Sequence, residues 1–282
     1  MSRILITGCS SGFGLMAARF FGSRNERVFA GVRNINDERL AAVCDAFPTV
    51  TPLAIDVRSD FSVENAAALA LADGPLDAVI NNAGVLYRGA VEDVSQDELL
   101  RVFDTNLFGV LRVCKAVLPS MRSRRQGVIV NVGSLSGMAA LPGEGIYAAS
   151  KFALLGLSEA MAQEVSSFNV RLHVIEPGAF PTTDIDAKSH RLQSATPSPY
   201  TPILDRFWDR VSDAQRKNPV PDPALVIQAI ARAVDDTSAP FSIAVGDDAV
   251  MIEEMRRKTK ANDFYGDLHR FLDSDLALSP IR

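Results

Sequence analysis

Tyr147 and Lys151 stand four residues apart in Tyr147-Ala148-Ala149-Ser150-Lys151. On a helix that spacing brings a phenol and an ammonium to one face. A phenol with its ordinary pKa of about 10 is no base at neutral pH. Readiness to exchange a proton near pH 7 requires about 4 kcal/mol in favour of the phenolate, which neighbouring positive charge supplies. The pair therefore predicts general acid–base chemistry, with Tyr147 giving or taking the proton. Ser134, in Val132-Gly133-Ser134, adds a hydroxyl able to steady charge developing on a substrate oxygen. Asn106, in Asp104-Thr105-Asn106, is a poor helix former inside a helical run, and suits a water bound behind Lys151.

A second group of residues points to a phosphate-bearing ligand. Thr7-Gly8-Cys9-Ser10-Ser11-Gly12-Phe13-Gly14 joins an apolar run to a helical pattern. Its glycines allow a tight turn, close approach of backbone to a pyrophosphate, and tight packing of helix on strand. The helix that follows presents N–H groups and partial positive charge to the phosphates. The spacing is G-x-x-x-G-x-G rather than G-x-G-x-x-G. Where an acidic residue would hold the ribose 2′-hydroxyl of NAD, the chain has Val32 followed by Arg33, which suits a 2′-phosphate instead. NADP, as NADPH, is the expected cofactor, with NAD as the alternative. Asp56-Val57 ends the third strand and offers a carboxylate to an adenine amino group. Asn81-Asn82-Ala83-Gly84 ends the fourth, where small residues let backbone lie against the cofactor and the amides knit strand ends together.

Such residues need a frame that gathers them at one edge. Strand patterns occur at Ile4–Ile6, Val28–Val32, Val50–Ile55, Asp77–Ile80, Val128–Val132, Val170–Ile175 and Phe241–Val245. Helical patterns lie between them at Phe13–Arg24, Asp37–Phe47, Glu64–Ala72, Gln96–Met121, Tyr147–Phe168 and Ala224–Val234. Continuous apolar runs mark strands buried on both faces, and helices provide the crossovers. The expected fold is α/β: a single Rossmann-type, doubly wound, mostly parallel sheet of about seven strands, with helices on both faces. Ligands of such sheets bind at the carboxyl ends of the strands, where every motif above falls.

One domain over residues 1–282 is expected. Eight prolines from Pro177 to Pro223 break the α/β rhythm, and residues 184–223 read as a substrate-binding lid. Its Tyr200, Ile203, Leu204, Phe207 and Trp208, with Phe180 and residues 138–144, would enclose a lipophilic or aromatic substrate. Residues 247–282 read as a helical tail, with Phe264, Leu268, Phe271 and Leu272 as a stripe that packs on the same domain.

Composition narrows the partners. A net charge of −5 argues against nucleic acid. The basic cluster at Arg122, Arg124 and Arg125 reads as a solvated helix C-terminus. The three cysteines (Cys9, Cys44, Cys114) and three histidines (His173, His190, His269) are scattered, which predicts neither a metal site nor a disulfide framework. The apolar run that follows Met1-Ser2-Arg3 is too short for a signal-peptide core, and no apolar run approaches the about 18 residues of a membrane span, so a cytoplasmic location is expected.

As a set and in this order, Thr7-Gly8-x-x-x-Gly12-x-Gly14, Asp56-Val57, Asn81-Asn82-Ala83-Gly84, Asn106, Ser134, Tyr147-x-x-x-Lys151 and Pro177-Gly178 with Thr182 resemble the short-chain dehydrogenase/reductase family, in its non-extended branch. The likeness is strong over residues 3–183. It implies a catalytic tetrad of Asn106, Ser134, Tyr147 and Lys151. It also implies a cofactor site of Gly8, Ser10, Ser11, Gly12, Phe13, Gly14, Arg33, Asp56, Val57, Asn82, Ala83 and Gly84, completed by Tyr147, Lys151, Pro177, Gly178, Phe180 and Thr182. Lys151 would hold the nicotinamide ribose and Thr182 the carboxamide. Ser11 departs from the basic residue that many NADP-preferring members carry in the glycine loop. The resemblance further implies a homodimer or homotetramer, the former through the two long helices.

The expected activity is NADPH-dependent interconversion of a carbonyl and an alcohol by hydride transfer. One alternative is an NAD-linked secondary-alcohol dehydrogenase acting on a steroid- or retinoid-like substrate. Another, of a different class, is a non-catalytic NADP-sensing regulator, which would have no need of Tyr147 and Lys151 together.

Overall fold

In a computed structural model of the chain, which describes residues 1–181, 189–192, 198–217 and 219–273, seven strands form one sheet in the order β3-β2-β1-β4-β6-β7-β9. They are β1 (Arg3–Thr7), β2 (Arg27–Val32), β3 (Val50–Ala54), β4 (Ala78–Asn81), β6 (Gly127–Val132), β7 (Val170–Pro177) and β9 (Ser242–Val245). Every pairing within this sheet is parallel. β4 and β6 are buried along their whole lengths, as strands covered on both faces must be. The direction of winding reverses between β1 and β4, which opens a crevice outside their carboxyl ends.

Local chemistry starts the helices where crossovers are needed. Asp37 caps α2 (Glu38–Ala46) by accepting from Arg39 N and Leu40 N. Ser59 caps α3 (Asp60–Ala72). Ser95 and Glu98 form a capping box at α4 (Gln96–Phe103). On one face of the sheet, Ala17, Ala18 and Phe21 of α1 (Gly12–Ser23) pack with Ile4, Ile6, Val28 and Ala30. On the other, Val113, Cys114 and Val117 of α5 (Gly109–Arg124) and Leu154 and Met161 of α6 (Gly145–Ser166) meet Leu5, Val79 and Ile129.

Three elements differ from the reading of the sequence. The run expected as one helix over 96–121 contains a π-turn at Asp104–Phe108, which separates α4 from α5. A second sheet of two short strands, β5 (Tyr87–Arg88) and β8 (His190–Arg191), ties the insertion to the chain after β4. Arg124 and Arg125 are not simply solvated: Arg124 donates to Leu76 O at 2.5 Å, and Arg125 to Ser167 O at 2.7 Å, so they fasten loops at the amino edge of the sheet.

Within the insertion a 17-residue helix, α7 (Thr201–Lys217), is formed. α8 (Ala224–Asp235) returns the chain to β9. The tail comprises α9 (Asp247–Lys258) and α10 (Ala261–Asp273). Phe264 and Leu268 pack with Met138, Ala139, Ala249 and Ile252, as the stripe predicts, while the side chains of Phe271 and Leu272 lie outside the described ones. Among the described residues no helix is long and apolar enough to cross a membrane.

Candidate active site

The end of β1 is shaped by glycine. Gly8 and Gly12 have φ of +76° and +55°, a region that side chains disfavour. Ser11 stands at the N-cap of α1 without capping it by its side chain, so the helix N-terminus keeps N–H groups for a ligand. Asn82 Nδ2 donates to Thr7 O at 3.0 Å and Gly8 O at 3.2 Å. Thr7 Oγ1 accepts from Asn82 N and Ala83 N at 3.0 and 3.1 Å. These bonds join the ends of β1 and β4 into one rigid floor.

Above this floor lies a cleft of about 590 Å³, lined by the glycine loop, Arg33, Asp56, Val57, Asn82, Ala83 and Gly84 among others. The volume and the phosphate-ready helix end fit a dinucleotide. Arg33 is exposed at the end of β2. Asp56 is gripped by Arg58, whose Nε and Nη2 donate to its two oxygens at 3.0 and 2.6 Å. The Arg58 hydrogen bonds, with smaller help from the charge of Arg33, hold the Asp56 carboxyl below the usual range.

A smaller pocket of about 130 Å³ continues this cleft and shares Phe13, Asn82, Gly84 and Leu86 with it. Ser134, Tyr147, Lys151, Pro177, Gly178 and Phe180 all line it. Tyr147 sits in the first turn of α6, and Lys151 one turn on. Each is 6% exposed. The Lys151 ammonium lies 5.8 Å from the centre of the Tyr147 ring and donates to Val132 O at 2.8 Å. Burial lowers its pKa from 10.5 to about 8, so the group stays charged at neutral pH.

Asn106 occupies the π-turn and is buried. Its Nδ2 donates to Val85 O and Ser150 Oγ, both at 3.0 Å, and its Oδ1 accepts from Val85 N at 2.9 Å. Ser150 Oγ in turn donates to Tyr147 O at 2.7 Å. A methyl built on Gly84 would lie 3.5 Å from Asn106 Oδ1 and 3.9 Å from Lys151 Nζ, so both face the backbone that ends β4. The π-turn thus brings Asn106 to α6, which carries Tyr147 and Lys151, as well as to the loop after β4.

Of the residues expected to enclose a substrate, Leu141, Glu144, Phe180 and Trp208 line the small pocket, whereas Tyr200 and Ile203 are exposed and Leu204 and Phe207 form no part of its wall. The candidate cofactor and tetrad residues gather in one place, with two exceptions. Gly14 does not line the cleft but closes the contact of α1 with Gly8 and Asn82. Thr182 lies outside the described residues. Several lining side chains carry no sequence signature of their own. Arg58 is visible only as the partner of Asp56, and Arg101 and Thr105 come from the α4–π-turn segment. His190, one of the scattered histidines, is exposed and also borders the large cleft, its ring 4.7 Å from that of Tyr87. The small pocket is also lined by Arg88, Glu144 and Ser136, with Trp208 and Gln215 from α7. The indole N–H of Trp208 is buried with no acceptor among the described residues. Glu144 and Trp208 fall among the residues expected to enclose a substrate, whereas Arg88, Ser136 and Gln215 carry no signal in the sequence.

Comparison with known proteins gives a consistent picture. Residues 2–193 match the short chain dehydrogenase family model. The chain is 34% identical over 244 residues to 3-ketodihydrosphingosine reductase of Bacteroides thetaiotaomicron, covering 86% of this chain and 87% of that protein. It is 37% identical over 249 residues to human retinol dehydrogenase 8, covering 84% and 79%. Among solved structures, a short-chain dehydrogenase from Streptomyces avermitilis superposes with a TM-score of 0.82 at 31% identity, over 96% of this chain and 97% of the other.

Proposed function

The chain belongs to the short chain dehydrogenase family and is an NAD(P)-dependent oxidoreductase acting on carbonyl and alcohol groups; from that premise we propose that it is an NADPH-dependent reductase of a lipophilic or aromatic carbonyl compound. The observation that carries this reading is the continuity of the two cavities. The pocket holding Ser134, Tyr147 and Lys151 opens into the cleft over the glycine loop through shared walls at Phe13, Asn82, Gly84 and Leu86.

The glycine loop and the α1 terminus would hold the pyrophosphate, Arg33 the 2′-phosphate, Asp56 the adenine and Lys151 the nicotinamide ribose. Pro177, Gly178, Phe180 and Thr182 would flank the nicotinamide. A reduced cofactor held there would supply the hydride. Ser134 donates a hydrogen bond to the substrate oxygen, and Tyr147 delivers the proton that completes the alcohol. Lys151, charged at neutral pH, favours the phenolate left on Tyr147. Asn106 fixes the loop after β4 against the helix that carries Tyr147, and the second lone pair of its Oδ1 is suited to a water behind Lys151. Leu86, Leu141, Phe180 and Trp208 in the small pocket support an apolar substrate.

Titration with NADPH and NADH, followed by consumption of each against a panel of aldehydes and ketones, tests this. Turnover is expected with NADPH, and Tyr147→Phe should lose several orders of magnitude in kcat while still binding cofactor. Binding without turnover on any member of the panel would instead support a sensor. One similarity favours a second reading, oxidation of a secondary alcohol with NAD: the relative at 37% identity is named a retinol dehydrogenase. Faster oxidation of retinoid or steroid alcohols with NAD than reduction of any carbonyl with NADPH would establish it. Leu100 and Phe108, exposed on the α4–α5 segment, are candidates for a homodimer or homotetramer contact, to be read from the solution mass. A cytoplasmic location goes with this reading, and fractionation of cells tests it.

A further inference from the structure

Next to Ser134 the chain spends a buried carboxylate that the proposed reaction does not consume. Glu144 is 4% exposed and stands at the N-cap of α6, yet its side chain does not cap that helix. It turns instead toward the substrate pocket. Ser136 Oγ donates to Glu144 Oε2 at 2.8 Å, while Arg88 Nε and Nη2 donate to Glu144 Oε1 at 3.2 and 3.1 Å. Ser136 N in turn donates to Ser134 Oγ at 3.1 Å. The Arg88 guanidinium stacks over the Trp208 ring, 4.0 Å from its centre. Burying a carboxylate is costly even when it is paired, and its use as a helix cap is not what offsets that cost here.

We propose that Glu144 is a positioning residue: it fixes Ser136, and through Ser136 the Ser134 hydroxyl, in the orientation required for a substrate oxygen. Because Ser134 Oγ accepts from Ser136 N, its own proton is left to point away from the turn and toward the pocket. Arg88 neutralises the buried charge. It also links the serine to the lid, since it belongs to β5, which pairs with β8 of the insertion, and lies against Trp208 of α7. The pocket wall formed by Trp208 and the alignment of the serine are thereby linked through Arg88 and Glu144.

The inference rests on the reading of Ser134 as the hydrogen-bond donor to substrate. Its test compares wild type with Glu144→Gln, Ser136→Ala and the double variant, using NADPH and para-nitrobenzaldehyde as the probe, together with crystal structures of wild type and Glu144→Gln. Each single variant should lower kcat by about ten- to a hundred-fold with the NADPH dissociation constant unchanged. The double variant should fall no further than Ser136→Ala alone, because both act on one bond. Multiplying losses, or weakened NADPH binding in step with kcat, would show a general structural role and overturn the proposal. Ser136→Ala removes a single oxygen and keeps the test available if Glu144→Gln folds poorly. If wild type reduces no carbonyl at all, the reaction reading fails separately, and the crystal structures decide: an unmoved turn at residues 134–137 in Glu144→Gln refutes the positioning role, and a displaced one sustains it.

Discussion

Lys151 is an ammonium kept where water scarcely reaches. Lowering its pKa from 10.5 to about 8 costs the folded state about 3 kcal/mol at neutral pH. Below pH 8 both states carry the proton and the cost is constant. Between about 8 and 10.5 the unfolded chain holds more protons than the folded one, so this residue's contribution to stability rises with pH. Lys151→Met should therefore stabilise the cofactor-free protein by up to about 3 kcal/mol at pH 7 while abolishing turnover. The gap from wild type should close as the pH is raised, and denaturant unfolding at several pH values measures it. Arg33 is a different kind of cation: exposed, and without an ion pair among the described residues. Its loss should cost little stability. Arg33→Ala should weaken NADPH by about ten- to a hundred-fold, the worth of charge-assisted bonds to a phosphate, and leave NADH nearly unchanged in a fluorescence titration.

At the scale of elements, the contact between α1 and the ends of β1 and β4 tolerates no added atom. A methyl on Gly14 would sit 2.3 Å from Gly8 O and 2.5 Å from Asn82 Nδ2. Gly14→Ala should destabilise the protein by about 1–3 kcal/mol and weaken both dinucleotides alike, a pattern distinct from that of Arg33→Ala in the same titration. The seven strands and their parallel, doubly wound arrangement were readable because apolar runs and intervening helical periods are local signals, and right-handed crossovers leave few topologies. The glycine loop, the Tyr147–Lys151 pair and the strand-end amides were readable because their spacing is itself the geometry. The π-turn was not, since residues 96–121 keep a helical pattern through the extra residue; Asn106 in mid-helix was its only trace. β5 and β8 are two residues each and meet across a hundred positions of sequence, beyond the reach of any periodicity. Arg58 and Arg88 acquire meaning only from the carboxylates that the fold brings to them.

For the molecule as a whole, the substrate pocket is closed by parts distant in the chain. Phe207 is buried and Trp208 borders the pocket from α7, the proposed lid. Replacing both by alanine should raise KM for apolar carbonyls far more than for small ones; equal kinetics with all substrates would remove the lid from the account. The tail holds the other walls. Asp248 Oδ2 accepts from Ala179 N at 2.8 Å, just past β7, and Arg256 Nη1 donates to Met138 O at 2.5 Å, just past β6. Asp248→Ala would strand a backbone N–H at a cost of about 1–3 kcal/mol and slacken the turn at residues 178–179, so the dissociation constants for cofactor should rise severalfold, as titration would show. Because this reach comes from Asp248 and Arg256 of α9, removing the helices after β9 is equivalent to mutating the pocket from behind. A form ending at residue 246 would retain every strand of the main sheet yet turn over poorly.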